Sequence, residues 1–216
     1  MPVQVKICGI NSAAAADTVL RAGADFGGLV FFPKSPRHLA LEEGRALADR
    51  LRGRLRLAAL VVDASDDMLE AIAKGIKPDF FQLHGQEDAA RATEIRGRFG
   101  LPLIKAISVA GPDDFAKAAA YDGVADYLLF DAKPSAGATR PGGHGAAFDW
   151  RLMQGRQLAQ PWFLAGGLAP ENVARAIAAS GAEMVDVSSG VESAPGIKDE
   201  TRIADFIAAA KQQVRA

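Results

Sequence analysis

Val3-Gln4-Val5-Lys6-Ile7-Cys8-Gly9 is a β-branched run whose alternate positions divide into Val3, Val5 and Ile7 on one face and Gln4, Lys6 and Cys8 on the other. Successive side chains of a strand point to opposite faces. An apolar row therefore suits contact with helices outside a parallel sheet, and it turns a lysine and a cysteine towards an interior. Gly9 lets the chain turn at once, so the thiol comes at the C-terminal rim of the strand rather than in mid-sheet. A lone cysteine is by default a small buried hydrophobe, and what surrounds it decides whether it reacts.

Beyond this strand the chain alternates two patterns. Further strands are predicted at Asp25–Phe32, Leu57–Val62, Phe80–Leu83, Leu103–Ile107, Tyr127–Phe130, Trp162–Ala165 and Met184–Val187. The first helix is capped by Asn11-Ser12 and stopped by Gly23. Others are predicted at Leu41–Arg52, Asp66–Lys74, Glu87–Phe99, Pro112–Ala120, Glu171–Ala179 and Lys198–Val214. Eight strands, each with a helix after it, predict an α/β fold, a (β/α)8 TIM barrel forming one domain over residues 1–216. An open doubly wound sheet is the alternative. It is disfavoured because no G-x-G-x-x-G follows the first strand. Cys8, Phe32, Asp63, His84, Ile107, Asp131, Gly166 and Ser188 stand at the strand ends, which a barrel gathers on one rim. The segment from Asp131 to Ala147 is rich in Gly, Pro and Ser without periodicity, as expected of a functional lid rather than a linker.

Composition narrows the function. A 216-residue chain with 49% hydrophobic residues can bury a large core unaided. Its single cysteine excludes a disulfide framework and a multi-cysteine metal site, and suits a reducing compartment. With 25 basic and 26 acidic residues, a net charge of -1 offers no field for nucleic acid or an anionic membrane, so an anionic ligand must be held locally. The N-terminus lacks a signal-peptide pattern and no stretch is long and apolar enough to span a bilayer, so a cytoplasmic location is expected.

Two stretches read as a phosphate cradle. Gly166-Gly167 ends the seventh strand before Pro170-Glu171-Asn172 opens a helix; Ser188-Ser189-Gly190 ends the eighth, with Val191-Glu192 placed to start a short extra helix. Backbone N–H groups freed by glycine and aimed from a helix N-terminus bind phosphate, and barrels use the loops after strands seven and eight for this. A Gly-Gly turn alone also serves ordinary turn geometry; adjacency of the two loops is what favours a phosphate.

Lys6-Ile7-Cys8-Gly9, Ser35-Pro36-Arg37, Gln82-Leu83-His84-Gly85, Gly142-Gly143-His144-Gly145-Ala146-Ala147-Phe148-Asp149-Trp150, Leu164-Ala165-Gly166-Gly167-Leu168 and Asp186-Val187-Ser188-Ser189-Gly190-Val191-Glu192 together resemble the phosphoribosylanthranilate isomerase family of tryptophan biosynthesis. The resemblance spans the whole chain; its one departure is His144, where a small residue is expected. It implies the Amadori rearrangement of N-(5-phosphoribosyl)anthranilate to 1-(2-carboxyphenylamino)-1-deoxyribulose 5-phosphate. Carried over by motif, Asp131 is the general acid that opens the ribose ring and Cys8 the general base that takes the neighbouring carbon's proton. No metal or organic cofactor is implied, since the substrate's own nitrogen is the electron sink.

Other residues keep two readings. Arg37 holds the anthranilate carboxylate bidentately, or is a solvated surface arginine. Lys6 favours the Cys8 thiolate at the substrate site, or forms an interior ion pair with a neighbouring strand's carboxylate. His84 and Asp186 face inward and support the site. Arg21, Arg45, Arg50, Arg52, Arg54 and Arg56 read as a solvated helical face and its following loop. Expected partners are the phosphosugar substrate and at most a second copy of the chain, as monomer or homodimer. Indoleglycerol phosphate synthase would want a lysine acid with glutamates at the strand ends. The histidine-pathway sugar isomerase would want an aspartate at position 8. A silent phosphate-binding barrel would not need the acid and base pair.

Overall fold

Alternation along the N-terminal strand sets the layout. In β1 (Gln4–Cys8), Val5 and Ile7 are buried in the large outer core with the helices, whereas Cys8 packs with Val30 and Leu60 in a separate inner cluster. The computed structural model describes residues 2–132 and 147–213. Within them, β1, β2 (Phe26–Val30), β3 (Arg56–Val61), β4 (Phe80–Leu83), β5 (Leu103–Val109), β6 (Tyr127–Ala132), β7 (Trp162–Leu164) and β8 (Met184–Val187) form a closed barrel in chain order. All pairings are parallel, and β8 closes on β1 with Lys6 opposite Asp186. Gly28 of β2 stands opposite Cys8, where a Cβ would lie 3.0 Å from Sγ and 3.3 Å from the Lys6 Nζ. That glycine makes room for the thiol and the lysine inside the barrel.

Among the described residues six α-helices surround the strands: α1 (Ala13–Arg21), α2 (Leu41–Leu51), α3 (Asp66–Gly75), α4 (Ala89–Phe99), α5 (Val173–Ser180) and α6 (Glu200–Lys211). Ser12, Ser65, Asp88 and Asp199 cap α1, α3, α4 and α6 by accepting from backbone N–H groups in the first turn. The lower interior is filled by Phe26, Phe80, Tyr127 and Phe163, with ring centroids of Phe26 and Phe163 5.0 Å apart. Arg56 closes this end. Its guanidinium lies 3.7 Å over the Phe26 ring and donates to Gln4 Oε1 at 2.9 Å, so it belongs to the barrel interior rather than to a solvated face.

Three local expectations are corrected. Pro112–Tyr121 is a 3-10 helix, and its buried residues Phe115, Ala118 and Tyr121 recur every third position, the period of that helix. No α-helix follows β6 among the described residues; Trp150–Met153 makes one 3-10 turn before β7. After β8 the short helix comes earlier than expected, at Ser189–Val191. It leads into an antiparallel ribbon of β9 (Glu192–Ala194) and β10 (Ile197–Lys198). Glu192 and Lys198 pair across that ribbon, and the Asp199 cap delays α6 to Glu200.

Candidate active site

Cys8 sits at the C-terminal end of β1, with Lys6 one inward position below it. Lys6 is wholly buried and its ammonium lies 2.7 Å from Asp186 Oδ1, so the interior ion pair is the arrangement found. Burial alone would pull the Lys6 ammonium down. The Asp186 carboxylate and the Cys8 sulfur outweigh it and hold the group above its ordinary value. For Cys8 burial wins: it pushes the thiol up, Asp186 adds to this, and Lys6, Lys198 and Arg37 pull it partly back.

Asp131 ends the inward row of β6. Its Oδ1 accepts from the Ala132 N–H at 2.9 Å, and its Oδ2 lies 3.5 Å from His84 Nε2. On the other side of the ring, Gln82 Nε2 lies 3.1 Å from His84 Nδ1. The His84 ring thus lies between the Gln82 amide and the Asp131 carboxyl. Gly166 is held at φ +81°, and a Cβ on it would come within 2.6 Å of the Ala132 N and 3.1 Å of Asp131 Oδ1. Its lack of a side chain therefore serves Asp131 as much as any anion.

Arg37 is buried rather than solvated. Its methylenes cross Gly9, where a Cβ would be 2.6 Å from the Arg37 Cδ. Nε and Nη2 donate to the two oxygens of Glu192 at 2.6 and 2.7 Å, and Nη1 makes no hydrogen bond among the described residues. Glu192 also accepts from Lys198 Nζ at 2.9 Å. Burial pushes its carboxyl up, but the Arg37 fork and Lys198 prevail and hold it at about 2. Lys198 donates further to the Ser188 carbonyl at 2.9 Å, and the Ser188 hydroxyl donates to the Cys8 carbonyl at 3.1 Å. Glu192 and Lys198 were not singled out from the sequence. The turn signal Ala194-Pro195-Gly196 between them was the available clue, since it folds the two charges onto one ribbon.

The two glycine loops lie against each other. Gly166 and Gly167 both have positive φ. Asn172 shapes the loop by accepting from the Ala169 N–H and donating to the Gly167 carbonyl, each at 2.8 Å, and its side chain does not cap α5. Gly190 lies so close to the other loop that a Cβ would be 1.8 Å from the Leu168 carbonyl oxygen. Ser189 starts the 3-10 turn that contains it. The structure thus gathers Lys6 and Cys8 of β1, Asp186 of β8, Asp131 of β6, and Ser188, His84 and Gly166 of the loops after β8, β4 and β7 at one end of the barrel. A thiol and a carboxyl are group types that general acid–base chemistry can use. Of the lid expected from Asp131 to Ala147, Asp131 and Ala132 end β6 and residues 133–146, His144 among them, lie outside the described residues. Among the described residues no cluster of His, Cys, Asp and Glu is placed to hold a metal ion, and no helix is long and apolar enough to cross a membrane.

Residues 5–209 match the family model for N-(5'-phosphoribosyl)anthranilate (PRA) isomerase. The N-(5'-phosphoribosyl)anthranilate isomerase of Rhodopseudomonas palustris (strain BisB18) is 50% identical over 211 residues, covering 98% of this chain and 97% of its own. A crystal structure of phosphoribosyl anthranilate isomerase in complex with reduced 1-(o-carboxyphenylamino)-1-deoxyribulose 5-phosphate superposes with a TM-score of 0.84 at 34% identity. It covers 97% of this chain and 99% of that one. Monomers generated from the dimeric Thermotoga maritima enzyme match with the same TM-score of 0.84, 34% identity and coverage of 97% and 99%. The chain belongs to the N-(5'-phosphoribosyl)anthranilate isomerase family.

Proposed function

We propose that the chain catalyses the Amadori rearrangement of N-(5-phosphoribosyl)anthranilate in tryptophan biosynthesis, with Asp131 as general acid and Cys8 as general base. The observation that carries this reading is the placement of both groups at the C-terminal ends of β6 and β1 on one barrel mouth, beside the paired glycine loops. Asp131 Oδ1 accepts from the Ala132 N–H, and Oδ2, which faces His84 Nε2, delivers a proton to the ribose ring oxygen. As the C1–O bond breaks, the anthranilate nitrogen forms an iminium with C1. The Cys8 thiolate then takes the proton from C2; the C–H electron pair becomes a C1=C2 bond and the nitrogen recovers its lone pair. Reprotonation of this enolamine at C1, with loss of the proton from the C2 hydroxyl, gives the ketone, so no external oxidant or cofactor is required.

Around this centre, Lys6, held in place by Asp186, supports the thiolate from below, and His84 orients the acid. The Nη1 side of Arg37, fixed by Glu192, takes the anthranilate carboxylate. Gly166, Gly167, Ser188, Ser189 and Gly190 take the phosphate through backbone donors. The enzyme works in the cytoplasm as a monomer or homodimer. Freshly made phosphoribosylanthranilate should lose its anthranilate fluorescence when mixed with purified protein, and no loss would overturn the reading. In the same assay Arg37→Ala should raise KM roughly 10- to 100-fold, the range for hydrogen bonds between charged groups, with inhibition by inorganic phosphate unchanged. Loss of phosphate inhibition in that variant would mean that Arg37 holds the other end of the substrate.

A further inference from the structure

Lys198 is a buried ammonium that the proposed reaction leaves without a task. Its side chain is fully buried, and it reaches from β10 beneath the loop after β8 to Glu192, to the Ser188 carbonyl and, at 3.3 Å, to the Ser188 hydroxyl. Ser188 in turn holds the Cys8 carbonyl. The side chains nearest this cluster set a charge balance. Lys6 is matched by Asp186 and Arg37 by Glu192, in two tight pairs. Lys198 shares Glu192 with Arg37, so three cations face two carboxylates and one positive charge is left over. The groups acting on Cys8 are Lys6 of the same strand, Asp186 of β8, Lys198 of β10 and Arg37 of the loop after β2, while β2 and β3 add the uncharged Val30 and Leu60.

We propose that Lys198 is a positioning residue for the base: its charge, unmatched within the cluster, favours the Cys8 thiolate. This rests on the reading of Cys8 as the base. Burying an ammonium is costly unless it is paired and hydrogen-bonded. Lys198 is hydrogen-bonded to Glu192 and to the Ser188 carbonyl, but Glu192 already matches Arg37. At Cys8 it acts through a weakly screening interior, where one charge several ångströms away shifts an ionisation by about one pH unit.

Protein labelled with [13Cβ]cysteine gives one cysteine signal, because the chain has one cysteine. Its titration reports thiolate formation without substrate, so it can fail independently of the catalytic assignment. Lys198→Met, which keeps the length of the side chain and leaves Glu192 its Arg37 partner, should raise the midpoint by about one pH unit. Lys198→Arg should restore the wild-type midpoint. Glu192→Gln, which removes a negative charge from the same cluster, should lower it. A merely structural Lys198 would not move the midpoint in opposite directions in the two neutralising variants. A natively folded Lys198→Met that titrates like wild type overturns the proposal. If that variant does not fold, Glu192→Gln decides: an unchanged or raised midpoint overturns it equally.

Discussion

Cys8→Ala should lose at least ~10² to 10⁴ of its turnover while keeping its fold, the range for a positioned general base. The sulfur lies in a small cluster with Val30 and Leu60 at the barrel rim, not in the aromatic layer that fills the lower interior, so its removal deletes chemistry more than packing. Cys8→Ser should be nearly as inactive, since a hydroxyl in this setting stays protonated. The structure adds a pH signature. Burial pushes the thiol above its ordinary range, and the thiolate is the form that reacts. The base limb of kcat/KM should therefore still be rising where an unperturbed thiol would have levelled off, because activity grows with pH until the folded-state value is passed. Steady-state rates of the purified variants test this, and an alanine variant with a tenth of wild-type turnover removes Cys8 from the role.

Asp131→Asn should abolish turnover to a similar extent and leave affinity for the rearranged product largely intact. An asparagine carbonyl can still accept from the Ala132 N–H, so the end of β6 keeps its local geometry. It has no acidic proton to give the ribose oxygen. The substitution thus separates proton donation from shape, and product titration by fluorescence reads the second alone. If affinity collapses together with turnover, Asp131 is a binding or structural group and the acid lies elsewhere.

Much of this was legible in the chain because period-two alternation and strand order are local signals. The split of Lys6 and Cys8 from Val5 and Ile7 placed the thiol inside the barrel, and β4 and β8 follow the predicted Phe80–Leu83 and Met184–Val187. Arg37 was legible as a motif residue but not as a buried one, because its partner Glu192 lies 155 residues away and meets it only through the ribbon after β8. Lys198 escaped for the same reason. Spacing along the chain cannot show that a lysine at the start of a predicted helix instead ends a two-residue strand and reaches the Ser188 carbonyl. Arg56 misled because a cluster of arginines on and after a helix ordinarily reads as solvated, whereas the first inward position of β3 stacks this one on Phe26.

Turnover in D2O tests the central claim, that the rearrangement proceeds by proton transfer through an enolamine. Base abstraction at C2 followed by reprotonation at C1 should place one solvent deuterium on C1 of the product, read by mass spectrometry and by the loss of one C1 proton signal in NMR. No deuterium at C1, together with an undiminished rate in Cys8→Ala, would mean that hydrogen moves directly from C2 to C1 and would contradict the assignment of a base to Cys8.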